Sequence, residues 1–358
     1  MSSLAVNADR CVHQQIAGAA CTGCVDACPR GAWRMRDSGL VFDDENCDDC
    51  GLCVAACSTE ALTLPAPVFL IRTQPSRCGL IACECAVAVP PEGASAGHAA
   101  CLYALAPGWL WRQADARRVE SIVAATGDCA MCPRGSAGGD WHRQWSVVAQ
   151  ARGQGRPAPA LQIVEPRTWQ ALASATEETV PTRRAFFRRL ARPTHAETDT
   201  DVPLSSSRQW LIEQLAGAGH APLWEVKLDE TRCSACLSCA RLCPTQALQV
   251  AAADAGNAGD HQFVIDMARC IGCGLCMAVC DSAALTVPAG GASTRACVLR
   301  RLRLHQQACQ ACGTPFHRLP RPASDAAPQG ALCRACEHGR LVQHNRIVQT
   351  GRPARSPP

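Results

Sequence analysis

The stretch CIGCGLCMAVC, Cys270 to Cys280, sets four thiols at intervals of three, three and four residues, and the chain repeats the pattern. CSACLSCARLC begins at Cys233 and CDDCGLCVAAC at Cys47, while a stretched version, CVHQQIAGAACTGCVDAC, runs from Cys11 to Cys28. An ordinary hydrophobic core does not need cysteines at such spacing. Three thiolates on one tight loop can grip three corners of a compact cluster. The fourth is expected at the start of a helical turn that carries it away from the others. Structural zinc uses two separated C-x2-C knuckles and has no need of a third thiol in the loop. The spacing therefore points to iron and sulfide.

Cysteine usage narrows the setting. Of 358 residues, 27 are cysteine, which fits either disulfides in an oxidising compartment or metal thiolates in a reducing one. The opening MSSLAVNADRCVHQQIAG has no charged-then-apolar signal segment. No apolar run approaches the ~20 residues that cross a bilayer. The expectation is a cytoplasmic protein with metal-bound thiols and no membrane span.

Residues 8–66 and 224–290 each resemble a bacterial-type ferredoxin domain carrying two 4Fe–4S clusters, in the manner of a polyferredoxin. The repeats agree beyond their thiols: CPRGAWRM, CSTEALTL, CPTQALQV and CDSAALTV share a small residue, a large apolar one and a β-prone tail. That pattern reads as a short helix leading into a strand, so each half is a small pseudo-twofold α+β unit. In the resembled family the fourth cysteine of a run serves the other cluster of the pair. The resemblance thus implies four crossed sets. One is Cys233, Cys236, Cys239 and Cys280, and its counterpart is Cys270, Cys273, Cys276 and Cys243. In the first domain the sets are Cys47, Cys50, Cys53 and Cys28, then Cys11, Cys21, Cys24 and Cys57. One departure stands out: nine residues separate Cys11 from Cys21, where the family has two. Closing a longer loop costs little extra entropy, so Cys11 can still return. A three-iron or labile cluster is the alternative.

Charge follows from this. The formal net charge is +4, but four sites of about −2 each shift the loaded protein to about −4. Residues 37–60 hold Asp37, Asp43, Asp44, Glu45, Asp48, Asp49 and Glu60 with no basic residue. Acids near a cluster disfavour adding an electron, so the first domain is expected to be the more reducing one.

Between the dicluster domains, PVFLIRT (67–73), VESIVAA (119–125) and LQIVEP (161–166) read as buried strands, with helices near 100–115 and 138–152. Strands alternating with helices imply a small parallel α/β sheet. Its cysteines follow strands: Cys78, Cys83 and Cys85 after the first, Cys129 and Cys132 after the second, with Cys101 opening the helix between. Such folds build sites beyond the carboxyl ends of their strands. The layout loosely resembles the small iron–sulfur subunit that links hydrogenase to heterodisulfide reductase, which implies an additional 2Fe–2S or other iron–sulfur centre at Cys83, Cys85, Cys101, Cys129 and Cys132.

Residues 167–222 read as a linker lacking a core period. Within it, PTRRAFFRRLARP resembles an internal twin-arginine element like that opening the ferredoxin-like accessory protein of periplasmic nitrate reductase. A plain amphipathic basic helix is the competing reading. Toward the C-terminus, CQACGTPFH and LCRACEHGR place Cys309, Cys312, Cys333 and Cys336 with zinc-ribbon spacing. Zinc is expected there ahead of a rubredoxin-like iron, as a redox-silent support for a basic tail. Cys297 has no partner in this pattern, and His305, His317 and His338 are expected to face solvent.

The expected architecture is α+β: two ferredoxin-like dicluster domains (1–66 and 223–290) flanking a small α/β domain (67–166). The linker (167–222), a zinc-ribbon-like module (291–345) and a tail (346–358) complete it. No P-loop and no G-x-G-x-x-G occurs, and Lys227 is the sole lysine. The cysteines are committed to metal, so the chain is expected to be an electron carrier or accessory subunit, not itself an enzyme. Its expected partner is a redox enzyme, with a molybdoenzyme such as formate dehydrogenase as one choice. Nucleic acid is a poor candidate, since basic surface alone is weak evidence.

Overall fold

The computed structural model describes residues 2–337 and 339, apart from 17, 18, 20, 38, 74, 88–96, 136, 137, 178–201, 216–221, 253–260, 291–298 and 321–331. The chain divides into two compact units, Met1–Leu223 with Ile271–Cys273, and Trp224–Cys270 with Gly274–Pro358.

The first unit opens with two small ribbons. Strand β1 (Ala5–Val6) pairs antiparallel with β4 (Leu62–Thr63), and β2 (Trp33–Arg36) with β3 (Gly39–Phe42). Three short helices, α1 (Val12–Gln15), α2 (Gly23–Asp26) and α3 (Leu52–Ala56), carry the cysteine motifs. A five-stranded sheet follows, made of β5 (Leu70–Arg72), β6 (Cys78–Cys83), β7 (His98–Ala99), β8 (Ser121–Ala125) and β9 (Ala160–Val164). Strands β6, β8 and β9 run parallel, and β7 joins β6 in the same sense. Helices α4 (Pro107–Ala116) and α5 (Gly138–Gly153) make the connections.

Two expectations change here. The stretch 67–73 supplies only the antiparallel edge β5, while CGLIAC, whose cysteines are expected to follow the first strand, itself forms the fully buried central strand β6. Buried cysteine behaves as a small apolar side chain, so a run flanked by cysteines can satisfy a core strand.

Two parts of the stretch expected to be a linker, 167–177 and 202–215, are described, and both pack onto the sheet domain. Helix α6 (Pro166–Glu177) sets Trp169 into the core beside Leu80 and Val123. Further on, Leu204 exchanges backbone hydrogen bonds with Leu64 at 2.9 and 3.2 Å, Ser205 to Ser207 are buried, and α7 (Arg208–Leu215) packs Trp210 edge-on against Trp111 of α4. Trp109 Nε1 donates to the Val202 carbonyl at 3.2 Å. The PTRRAFFRRLARP element lies outside the described residues. One hydrophobic core joins Trp33, Val54 and Leu62 of the N-terminal ribbons and helices to Ile81 and Ile122 of the sheet, to Leu105 just before α4 and to Trp109 within it.

The second unit repeats the plan. Strand β10 (Lys227–Leu228) pairs antiparallel with β13 (Leu285–Thr286), around helices α8 (Ser238–Arg241) and α9 (Leu275–Ala278). The hairpin β11 (Leu248–Ala252) and β12 (His261–Asp266) is extended by β14 (Leu299–Ala308) and β15 (Pro315–Arg318) into one antiparallel sheet. The C-terminal thiol module is therefore not separate from the dicluster fold. Asp266 to His261 pair with Leu299 to Leu304, and the same strand continues into the first knuckle. Cys297 lies outside the described residues.

Candidate metal centres

Each cysteine run ends in the same turn. The fourth cysteines are Cys28, Cys57, Cys243 and Cys280, and each follows its short helix; the expectation had placed them at the helix start. Three residues on, the backbone adopts a left-handed conformation at Gly31, Glu60, Gln246 and Ala283, with φ of 63°, 55°, 55° and 46°. That twist turns a backbone N–H back onto the sulfur. Ala32 donates to Cys28 at 3.3 Å, Ala61 to Cys57 at 3.2 Å, Leu248 to Cys243 at 3.5 Å and Ala284 to Cys280 at 3.3 Å. A sulfur that attracts an N–H four times over is built to carry negative charge.

The first three thiols of a run sit on a second repeated device. Left-handed residues fall two and four positions after the leading cysteine: Asp49 and Gly51, Ala235 and Leu237, Gly272 and Gly274. The stretched run lacks this alternation among its described residues. Its insertion instead forms α1, with Val12 and Ala19 buried and the His13 ring bonded to the Cys21 carbonyl at 2.6 Å. The inserted loop is thereby folded back toward Cys21.

The thiols gather across the runs. Burial, then the Cys21, Cys57 and Cys11 sulfurs, push the Cys24 thiol up to about 12. Those four cysteines line one cavity. Cys53 is also raised to about 12, by burial first and then by Cys50, Cys24 and Cys28. In the second unit burial, then Cys236, Cys233 and Cys280, raise Cys239 to about 12. A cavity lined by Cys233, Cys236, Cys239 and Cys280 has Leu228, Phe263, Leu285 and Leu304 as apolar walls. Such buried thiols resist ionisation unless a cation compensates them, which suits a metal-cluster donor set.

In the α/β sheet five more thiols meet beyond the strand ends. Cys83 closes β6, and it accepts a hydrogen bond from the Gly127 N–H at 3.4 Å. The Cys85 and Cys132 sulfurs lie 3.1 Å apart, and Cys85 is raised to about 11 chiefly by that contact. Burial raises Cys101 to about 11, with Cys83 and Cys132 adding to it. Cys129 neighbours Cys83 and Cys132, and the Tyr103 hydroxyl bonds to it. Gly127 makes the convergence feasible, since a Cβ there would fall 2.3 Å from the Cys85 carbonyl oxygen. Cys78 lies at the opposite end of β6, buried and apart from this group.

Cys309, Cys312, Cys333 and Cys336 bring their sulfurs within 4.8 Å of one another. Four ligands about 2.3 Å from a single ion lie about 3.8 Å apart, and Cys312 and Cys333 are at 3.7 Å. Backbone N–H groups, first that of Cys333, hold the Cys309 thiol down to about 6. This is the geometry of a mononuclear site. It also touches the dicluster fold, because Arg334, between two of its cysteines, pairs with Asp281 beside Cys280 and lines the Cys233 cavity.

The acidic run of the first domain is less bare than its sequence. Arg34 pairs with Asp43, Arg10 with Glu60, and Arg134 with Asp48. Burial is the largest influence on Asp48 and works against its charge, yet the hydrogen bonds from Arg134 and Cys50, with the Arg134 charge, together outweigh it and hold that carboxyl below its ordinary range. Ser2 and Ser3 do the same for Asp49. Arg134, Tyr103 and His13 carry no motif that sequence inspection could single out.

No helix among the described residues is long and apolar enough to cross a membrane. The 4Fe-4S dicluster domain family matches the chain twice, over residues 19–61 and 232–284. The first match begins beyond Cys11. A search of the curated proteins found no match. Two ferredoxin-type dicluster domains are thus present, and they support an iron–sulfur electron-transfer role.

Proposed function

We propose that this chain relays single electrons through four 4Fe–4S clusters, held by the four crossed cysteine sets, to or from a partner oxidoreductase. The observation that carries the proposal is the repeated turn that aims an N–H at Cys28, Cys57, Cys243 and Cys280, together with the mixed thiol neighbourhoods of Cys24, Cys53 and Cys239. A bound cluster accepts and returns one electron. The protein supplies apolar walls, N–H donors and fixed carboxylates that set how readily it does so. The five thiols around Cys83 offer a further iron–sulfur site, and the Cys309 group offers a zinc site that takes no part in redox.

Anaerobically purified protein should carry about sixteen irons from four clusters, with more if the five-thiol site is filled. Spin-coupled EPR signals should appear on full reduction. An iron content near eight in intact protein would overturn the four-cluster assignment. An accessory role in maturing a molybdenum oxidoreductase is the second reading, favoured by the TRRAFF sequence. Catalytic passage of electrons from dithionite-reduced protein to a candidate enzyme supports the relay; single, stoichiometric binding during maturation supports the accessory role.

A further inference from the structure

The Arg134 guanidinium touches three cysteine-bearing segments besides its own. Nε donates to Asp48 Oδ2 at 3.0 Å, and Nη1 donates to Glu84 Oε2 at 2.9 Å and to the Ala100 carbonyl at 2.6 Å. Asp48 lies between Cys47 and Cys50, and Glu84 between Cys83 and Cys85. Ala100 directly precedes Cys101, and Arg134 follows Cys132 by two residues. The side chain is only 15% exposed, so its charge is poorly screened. Its field reaches Cys50 on one side and Cys85 on the other. Cys50 and Cys101 also pack in one small apolar cluster with Leu52 and Ala104.

We propose that Arg134 is a positioning residue that clamps the five-thiol site onto the Cys47–Cys50 loop and raises the reduction potential of the cluster Cys50 helps to hold. The proposal rests on the reading that Cys47, Cys50, Cys53 and Cys28 bind a cluster. Reduction adds one negative charge to that site. A fixed cation favours the added electron, while Asp48 and Glu84 oppose it. Without the guanidinium both carboxylates stand uncompensated. Lysine keeps the charge but has no planar fork to hold two carboxylates and a carbonyl together.

The test is a dithionite titration of the full chain, followed by EPR. Arg134→Gln should make that cluster at least tenfold harder to reduce, a fall of ~59 mV for one electron. Asp48→Asn should shift it the other way, and Arg134→Lys should fall between wild type and Arg134→Gln. A contact that only holds shape is broken alike by Arg134→Gln and Asp48→Asn. Shifts of one sign, or none, therefore overturn the proposal. If Arg134→Gln loses iron, Asp48→Asn decides by its sign, and an unchanged or lowered potential overturns the proposal. Wild-type protein with no reducible cluster dependent on Cys50 overturns the cluster reading itself, and this proposal with it.

Discussion

Gly51 shows how tightly a cysteine loop is held by what surrounds it. Its φ is +79°, and an added Cβ would meet the Ala104 Cβ and a Leu204 methyl at 3.1 Å each. Gly51→Ala therefore combines left-handed strain with overpacking, at a combined cost of about 2–4 kcal/mol. Anaerobic denaturant unfolding of the first unit's transition should show it; an unchanged midpoint would mean that the loop shifts freely. The crossing of ligands is also a residue-scale matter. Cys57 follows α3, yet it shares its surroundings with Cys24 on α2. Cys57→Ser should therefore perturb the EPR signal that Cys24→Ser perturbs and spare the one that Cys53→Ser perturbs. The opposite pairing would mean that each run serves its own cluster.

Helix α7 illustrates what an element contributes when its sequence looks like a connection. Leu211 is fully buried, and a Cβ on Gly108 of α4 would fall 2.5 Å from the Ser207 carbonyl oxygen, so the two segments pack backbone to backbone. Leu211→Ala should cost about 2–5 kcal/mol, read as a lowered unfolding midpoint with cluster signals intact at low temperature. A cost under about 0.5 kcal/mol, the surface norm, would return this stretch to the status of a linker. The sequence disclosed the cysteine runs because metal geometry imposes a spacing that little else imitates. It also disclosed α4, α5, β8 and β9, whose apolar periods are long enough to recognise. Strand β6 stayed hidden, since its cysteines looked like ligands and only Cys83 stands in the thiol group. Helix α7 stayed hidden because its burial depends on partners more than ninety residues earlier, Gly108 and Trp111 among them. The clamp at Arg134 was illegible for the same reason: an arginine has no spacing rule, and its partners are named only by the fold.

At the scale of the whole molecule, each unit joins a dicluster domain to further thiols, and neither junction falls where composition changes. In the first unit a shared core binds the dicluster domain to the α/β sheet. In the second the bond is a strand ladder, six residue pairs between β12 and β14. That ladder governs how the chain can be cut. A truncation ending at residue 290 contains the whole second family match, which ends at 284, yet it strips β12 of its neighbour and leaves a row of unpaired N–H and C=O groups along Val264 and its flanks. A fragment starting at 291 bears the complementary raw edge on β14. Exposed edges of this kind recruit other chains, so both pieces should self-associate in size-exclusion runs while a version ending at 337 stays dispersed. If the shorter piece remains monomeric with its clusters intact, β14 is an ornament of the dicluster sheet. If it aggregates, the smallest deliverable unit of this half already includes its four-thiol knuckle, and swapping dicluster domains between proteins must carry that knuckle along.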